Sequence, residues 1–184
     1  MAEKIGYNLA RIENEAFING DGANRPRGIL TYENGVSSET IEQISSGIDG
    51  ALDGNSIITL LYSLKSEYAA NVSFLMNRAI TKNIRLLVDE NKQYLWSPGL
   101  NGNEYNTLLG YPIIENIAMP AANKDSLSIT VGDFQKAYTI VDKVGVRILR
   151  DNLTEKPFVK FYTTKRVGGE LINGEALKIL KLSA

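Results

Sequence analysis

The 184 residues contain no histidine and no cysteine. Ser-His-Asp triads, histidine relays, thiolate nucleophiles, disulfides and the usual zinc and iron–sulfur ligand sets are therefore excluded. General acid–base chemistry would fall to paired carboxylates. Glu13 with Glu15, Asp49 with Asp53, and Asp89 with Glu90 are candidates among the 21 acids. Pairs of this kind also arise from solvated charges and turn residues, and nothing in their spacing implies a shared cleft. The 16 glycines form neither Gly-x-x-x-x-Gly-Lys-Ser/Thr nor Gly-x-Gly-x-x-Gly after a strand. Gly20-Asp21-Gly22 follows a helix and reads as its stop signal rather than as an anion site. Arg25 with Arg27, and Lys156, Lys160, Lys165 and Arg166, form two local basic groups beside compensating acids. With 20 Lys and Arg against 21 Asp and Glu, the net charge of −1 gives no basic excess for a dedicated nucleic-acid binder. Tyr94 and Trp96 alternate with Gln93 and Leu95; a core strand is favoured there over a stacking platform. No catalytic, cofactor-binding or metal-binding residue is assigned, and neither enzymatic activity nor a cofactor is expected.

The elements that must position these residues follow from periodicity. Hydrophobic residues make up 43% and charged residues 22%, which excludes a disordered chain. Ile5, Leu9, Ile12 and Ala16 form one apolar helical stripe ending at Asn19-Gly20. Residues 31–56 read as an irregular connection with a strand or short helix near Thr40 to Ser46. A second helix starts at Ser56, with Ile57, Leu61, Leu64 and Tyr68 inward. Val72 to Met76 reads as a buried strand, and Arg78 to Val88 as a third helix with Ile80, Ile84, Leu87 and Val88 inward. Asp89 to Lys92 is a turn and Tyr94 to Trp96 a short strand. Residues 99–106 are a Gly- and Asn-rich loop, and Leu108 to Ile114 bends at Gly110 or lies at an edge. Leu127, Ile129 and Val131 alternate, and Gly132-Asp133-Phe134 turns the chain with Phe134 expected in the core. Tyr138, Ile140, Val144, Val146 and Ile148 predict one long half-buried strand, or two joined near Gly145, packed against the opening helix. Val159, Phe161 and Thr163 predict another, with a kink or bulge at Gly168-Gly169. Leu177 to Leu182 fits strand or helix. The class is α+β, with three helices and about seven mostly antiparallel strands. The apolar runs are too short for a membrane span and the N-terminus lacks a signal-peptide core, so a soluble cytoplasmic protein is expected.

Several pieces then line up in one order: Glu15-Ala16-Phe17-Ile18-Asn19-Gly20-Asp21-Gly22 into Pro26-x-Gly28-Ile29-Leu30; Phe74-Leu75-Met76-Asn77-Arg78; Ile84-Arg85-Leu86-Leu87; Tyr94-Leu95-Trp96. Thr107-Leu108-Leu109-Gly110-Tyr111-Pro112, Met119-Pro120, Gly132-Asp133-Phe134, Ala137-Tyr138, Arg150-Asp151, Lys165-Arg166-Val167-Gly168-Gly169 and Glu175-Ala176 complete the series. The ordered set resembles the tailed-phage major capsid protein family, with the Hong Kong phage (HK-type) capsid fold. Asn173-Gly174 departs from the family, where a proline often precedes the Glu-Ala pair.

The resemblance implies an A-domain and a discontinuous P-domain. Residues 1–29 would be P-domain with the end of the spine helix, 30–139 the A-domain, 140–175 P-domain strands, and 176–184 a return toward the A-domain. It implies a structural subunit of an icosahedral shell enclosing DNA, in the virion of a tailed phage or prophage, assembled in the bacterial host cytoplasm. Its partners would be other copies of itself in pentamers and hexamers, with a scaffold or maturation protease as helpers, non-specific contact with packaged DNA at most, and no membrane. The family's N-terminal arm, extended E-loop and most of its spine helix have no counterpart here, so a truncated chain is expected. Those overlapping elements supply much of the shell contact, and the 184 residues alone are expected to fold on their own core, yet be a monomer or a small, weak oligomer in dilute solution. No crosslinking lysine is carried over. An encapsulin-type shell protein, a small carboxylate-dependent hydrolase and a nucleic-acid-binding module are the alternatives.

Overall fold

The computed structural model describes residues 2–88, 91–95 and 107–184. In chain order the elements are α1 (Ala2–Asn19), β1 (Glu42–Ser45), α2 (Gly54–Tyr62), β2 (Ser73–Met76), α3 (Arg78–Arg85), β3 (Thr107–Leu108) and β4 (Tyr111–Glu115). There follow β5 (Leu127–Gly132), a single-turn α4 (Phe134–Ala137), β6 (Tyr138–Asp151), β7 (Lys160–Leu171) and β8 (Leu177–Lys181). They form two compact units: Met1–Thr31 with Thr139–Glu170, and Tyr32–Tyr138 with Leu171–Ala184.

The first unit holds α1 and the β6–β7 ribbon. A connection as short as residues 152–159 makes the pair antiparallel, since a parallel crossover takes about a dozen residues or more. β6 runs unbroken through Gly145, and β7 runs through Gly168-Gly169 without interruption. α1 ends where Gly20 N–H donates to Ala16 O at 2.9 Å; the chain then closes on itself, Gly28 N–H donating to Gly20 O at 2.8 Å. Arg27 N–H donates to Gly169 O at 3.2 Å, tying this loop to β7. Ile5, Leu9 and Ala16 are partly buried, as the stripe predicts, but Ile12 is 60% exposed. Its neighbour Glu13 turns inward instead, to Lys165 of β7.

The second unit is a six-stranded mixed sheet in the order β1-β8-β5-β2-β4-β3. The pairs β8–β5, β5–β2 and β4–β3 are antiparallel; β1–β8 and β2–β4 are parallel. β8 resolves its sequence ambiguity as an inner strand: Leu177, Ile179 and Leu180 are fully buried, so neither face shows the polar alternation of a solvated strand. Lys178 is also buried, because Glu42 stands directly opposite on β1 with its carboxylate 2.5 Å from the ammonium. Phe74, Ile129, Val131, Ile80 and Leu60 complete the core. The β3–β4 hairpin turns through Leu109 and Gly110, both at positive φ (53° and 85°), the pattern of a tight two-residue turn.

Several expectations are corrected. α2 stops at Tyr62 rather than reaching Tyr68: Ser63 caps it and Lys65 is extended. A 3₁₀ turn over Ser66–Asn71 then brings Tyr68 into the core, where its hydroxyl accepts from Asn173 Nδ2 at 2.8 Å. Leu61 is only partly buried, Leu60 taking the inward place. α3 ends at Arg85, and Val88 is exposed beyond it. Phe134 is only half-buried, because it is Asp133, 2% exposed, that turns inward and caps α4 by accepting from Gln135 and Lys136 N–H. Tyr94 and Leu95 are exposed, joined to the fold by an isolated bridge from Tyr94 to Val88, so they are not a core strand. Trp96, Asp89-Glu90 and the 99–106 loop lie outside the described residues.

Asp53 opens α2 with a capping box: its carboxylate accepts from Ser56 N–H at 2.8 Å, while Ser56 Oγ accepts from Asp53 N–H at 3.2 Å. Asp53→Ala is expected to destabilise the protein by about 1 kcal/mol, read as a lowered denaturation midpoint. Asp53→Ser should recover most of that loss.

Candidate assembly surfaces

The two sequence-predicted acid pairs among the described residues do not converge. Glu13 faces Lys165 Nζ at 2.7 Å, whereas Glu15 accepts from Asn19 Nδ2 at 3.0 Å on the exposed side of α1. Asp49 pairs with Lys124 at 2.6 Å and accepts from the Ala184 N–H, and Asp53 is the α2 cap. Each is thus occupied by a structural partner. Among the described residues no group of three or more acids could hold a metal ion. Asp21 accepts from Arg25 Nε at 2.8 Å and from Ala23 N–H, which holds its carboxyl far below the usual carboxylate range and makes the Gly20-Asp21-Gly22 turn self-contained. No helix of the described residues is long and apolar enough to cross a membrane.

Of the basic residues, Lys165 is paired with two carboxylates at once. Its ammonium lies between Glu13 of α1 and Asp142 of β6, at 2.7 and 3.1 Å. The Glu13 carboxylate, then that of Asp142, raises the Lys165 pKa above the ordinary lysine value. A raised folded-state pKa means that the contribution of this clamp is complete below the unfolded-state value of about 10.4 and is lost as pH rises through the folded one. Hydrogen-exchange protection of α1 should therefore be level from neutral to mildly alkaline pH and fall in strong alkali. Lys165→Ala should lower that protection at neutral pH.

The surface itself is unusual in being apolar where it is most exposed. Ile140, Val146 and Ile148 project from one face of β6, and each is about half exposed. The half-buried strand predicted from these positions is thus not half-buried within the chain. Val141 and Leu149 project from the other face, and beyond them Leu153, Phe158 and Tyr162 crowd the ribbon's far end, with Leu153 77% and Phe158 68% exposed. Alternation alone pointed to one apolar face. The odd-numbered Val141 and Leu149 were the available sign that both faces want cover. In the second unit, Ile58, Leu61, Tyr62, Leu109 and Tyr111 line an open hollow of about 660 Å³ that the sequence reading missed, because the tight β3–β4 turn brings Leu109 to α2 from a distant segment. Exposed apolar side chains gathered on one element, as on this ribbon, are a common mark of surfaces that other macromolecules cover.

The phage capsid family model matches residues 1–182. The chain belongs to the phage capsid family. Among solved structures, the capsid of an empty GTA particle is 34% identical, with a TM-score of 0.91, over 100% of this chain and 65% of that one. The Gordonia phage Cozz structure is 14% identical, with a TM-score of 0.65, over 99% of this chain and 62% of that one. The SrpI encapsulin of Synechococcus elongatus PCC 7942 is 16% identical, with a TM-score of 0.64, over 98% and 63%. At such identities the last two establish the HK-type fold alone. This capsid-family chain spans about two-thirds of the length of these relatives. No match was found among curated proteins.

Proposed function

We propose that this chain is the shell-forming part of a major capsid subunit of a tailed phage or phage-derived particle. The observation that carries the reading is the likeness to the GTA particle capsid, 34% identical over the whole chain. The unit of Met1–Thr31 with Thr139–Glu170 serves as the P-domain, and the unit of Tyr32–Tyr138 with Leu171–Ala184 as the A-domain. Copies meet around five-fold and six-fold axes, and the product is a closed shell around DNA, a component of the virion. The ribbon's exposed Ile140, Ile148, Phe158 and Tyr162 support this, since neighbouring copies would bury them. The protein acts without catalysis. Sedimentation velocity across a concentration series tests the reading: the 184 residues are expected to pass from monomer to small, weakly held oligomers as concentration rises, and a protein that stays monomeric at every concentration would overturn it.

A further inference from the structure

Charge divides unevenly between the two units. Met1–Thr31 and Thr139–Glu170 together hold eleven cations against eight carboxylates, a net +3; Tyr32–Tyr138 with Leu171–Ala184 hold thirteen carboxylates against nine cations, a net −4. The excess in the first unit sits on the ribbon. Lys165 and Asp142 share the ribbon face that meets α1, because they pair at 3.1 Å. By strand alternation Lys143, Arg147 and Arg166 then lie on the opposite face, with Val141, Leu149 and Tyr162. All three cations are exposed, and among the described residues none has an ion-pair partner. Arg147 and Arg166 border one hollow of about 460 Å³, which Val144, Thr164 and Lys165 also line. This face is therefore cationic and apolar at once, and uncompensated.

In the second unit nearly every described carboxylate is engaged. Glu42, Asp49, Glu115, Asp125 and Glu175 pair with a lysine or arginine, and Asp53 and Asp133 cap helices. Glu67 lies beside Lys65. The exceptions are Glu33 and Glu39, both exposed and without a charged neighbour. They stand at the two ends of one loop, pinned by Ile41 N–H donating to Glu33 O at 3.1 Å, and the exposed Val36 lies between them. This loop is thus acidic and apolar at once, the complement of the ribbon face.

We propose that the Lys143–Arg147–Arg166 face of the ribbon docks on the Glu33–Val36–Glu39 loop of a second copy of this chain. The proposal rests on the shell reading and names a contact within it. Complementary charge sets register and speeds encounter, while Leu149, Tyr162 and Val36 supply the apolar area that holds the contact. A nucleic-acid partner is less favoured: three cations interleaved with apolar side chains, on a chain of net charge −1, fall short of the strongly positive surface such interfaces present.

The test combines crosslinking with charge reversal. A water-soluble carbodiimide joins a lysine amine to a carboxylate in direct contact. Mixed light and ¹⁵N-labelled chains, concentrated at low salt, should yield mixed-isotope peptides linking Lys143 to Glu33 or Glu39. Arg147→Glu with Arg166→Glu should weaken self-association by roughly tenfold or more in sedimentation velocity, since like charges would then oppose. Adding Glu33→Lys and Glu39→Lys in the same chain should restore it. Self-association that is unchanged by the reversal, or crosslinks elsewhere only, would overturn this contact while leaving the shell reading intact. Loss of duplex-DNA retention by the reversed chain with self-association unaltered would overturn it in favour of a nucleic-acid face. Complete absence of association in the unmodified chain would overturn both.

Discussion

Phe74→Ala is expected to lower stability by about 3–5 kcal/mol, whereas Phe161→Ser should leave the isolated chain almost unchanged and yet abolish its association into larger species. Both residues are strand phenylalanines, and the difference lies in what surrounds them. Phe74 sits in β2 between Ile113 of β4 and Val131 of β5, with no solvent exposure, so truncation leaves a cavity in the sheet's centre. Phe161 on β7 is 39% exposed on a two-stranded ribbon, and removing its ring creates no internal void. Denaturant unfolding followed by light scattering separates the two. A stability loss for Phe161→Ser comparable with that for Phe74→Ala would mean that the ribbon is part of a closed core within one chain.

Gly132→Ala should be nearly as damaging, on the order of 4 kcal/mol. Gly132 closes β5 at φ 148°, where an L side chain is strained, and an added Cβ would lie 2.0 Å from the Ala176 carbonyl oxygen and 3.0 Å from Leu177 Cα. That oxygen cannot withdraw cheaply, because Asp133 N–H donates to it at 3.0 Å, and Leu177 is the strand partner of Gly132. Relief would have to part β5 from β8, two neighbouring inner strands that are both buried. Strain at such a backbone position costs roughly 1–3 kcal/mol and overpacking a similar amount. A melting temperature within a degree or so of the unmodified chain would show that the 3₁₀ turn over Gly174–Ala176 can shift freely.

These residues also show what periodicity could and could not reveal. The α1 stripe was legible at Ile5, Leu9 and Ala16, but a stripe is blind to a lysine arriving from a strand about 150 residues later, so Glu13 and Ile12 exchange their expected roles. The turns at Gly110 and Gly132 were legible because glycine marks unusual backbone; Phe134 was not, because Asp133 takes the inward place to cap α4. β8 stayed ambiguous between helix and strand, since burial on both faces removes the alternation that distinguishes them. The even-numbered apolar set of β6 gave the correct strand and the wrong burial, because alternation reports that a face wants cover without saying whose atoms supply it. The family was legible through the order of many weak motifs, whereas the candidate surfaces, assembled from distant segments, needed the fold.

The most direct measurement of the central claim is a cryo-EM reconstruction of particles from cells expressing the gene that encodes this chain. A closed shell of repeated copies is expected, in which Ile148, Phe158 and Tyr162 of each ribbon are buried against neighbouring copies. A shell whose ribbons remain solvent-exposed on both faces, or cells in which the protein is abundant and never enters a particle, would contradict it.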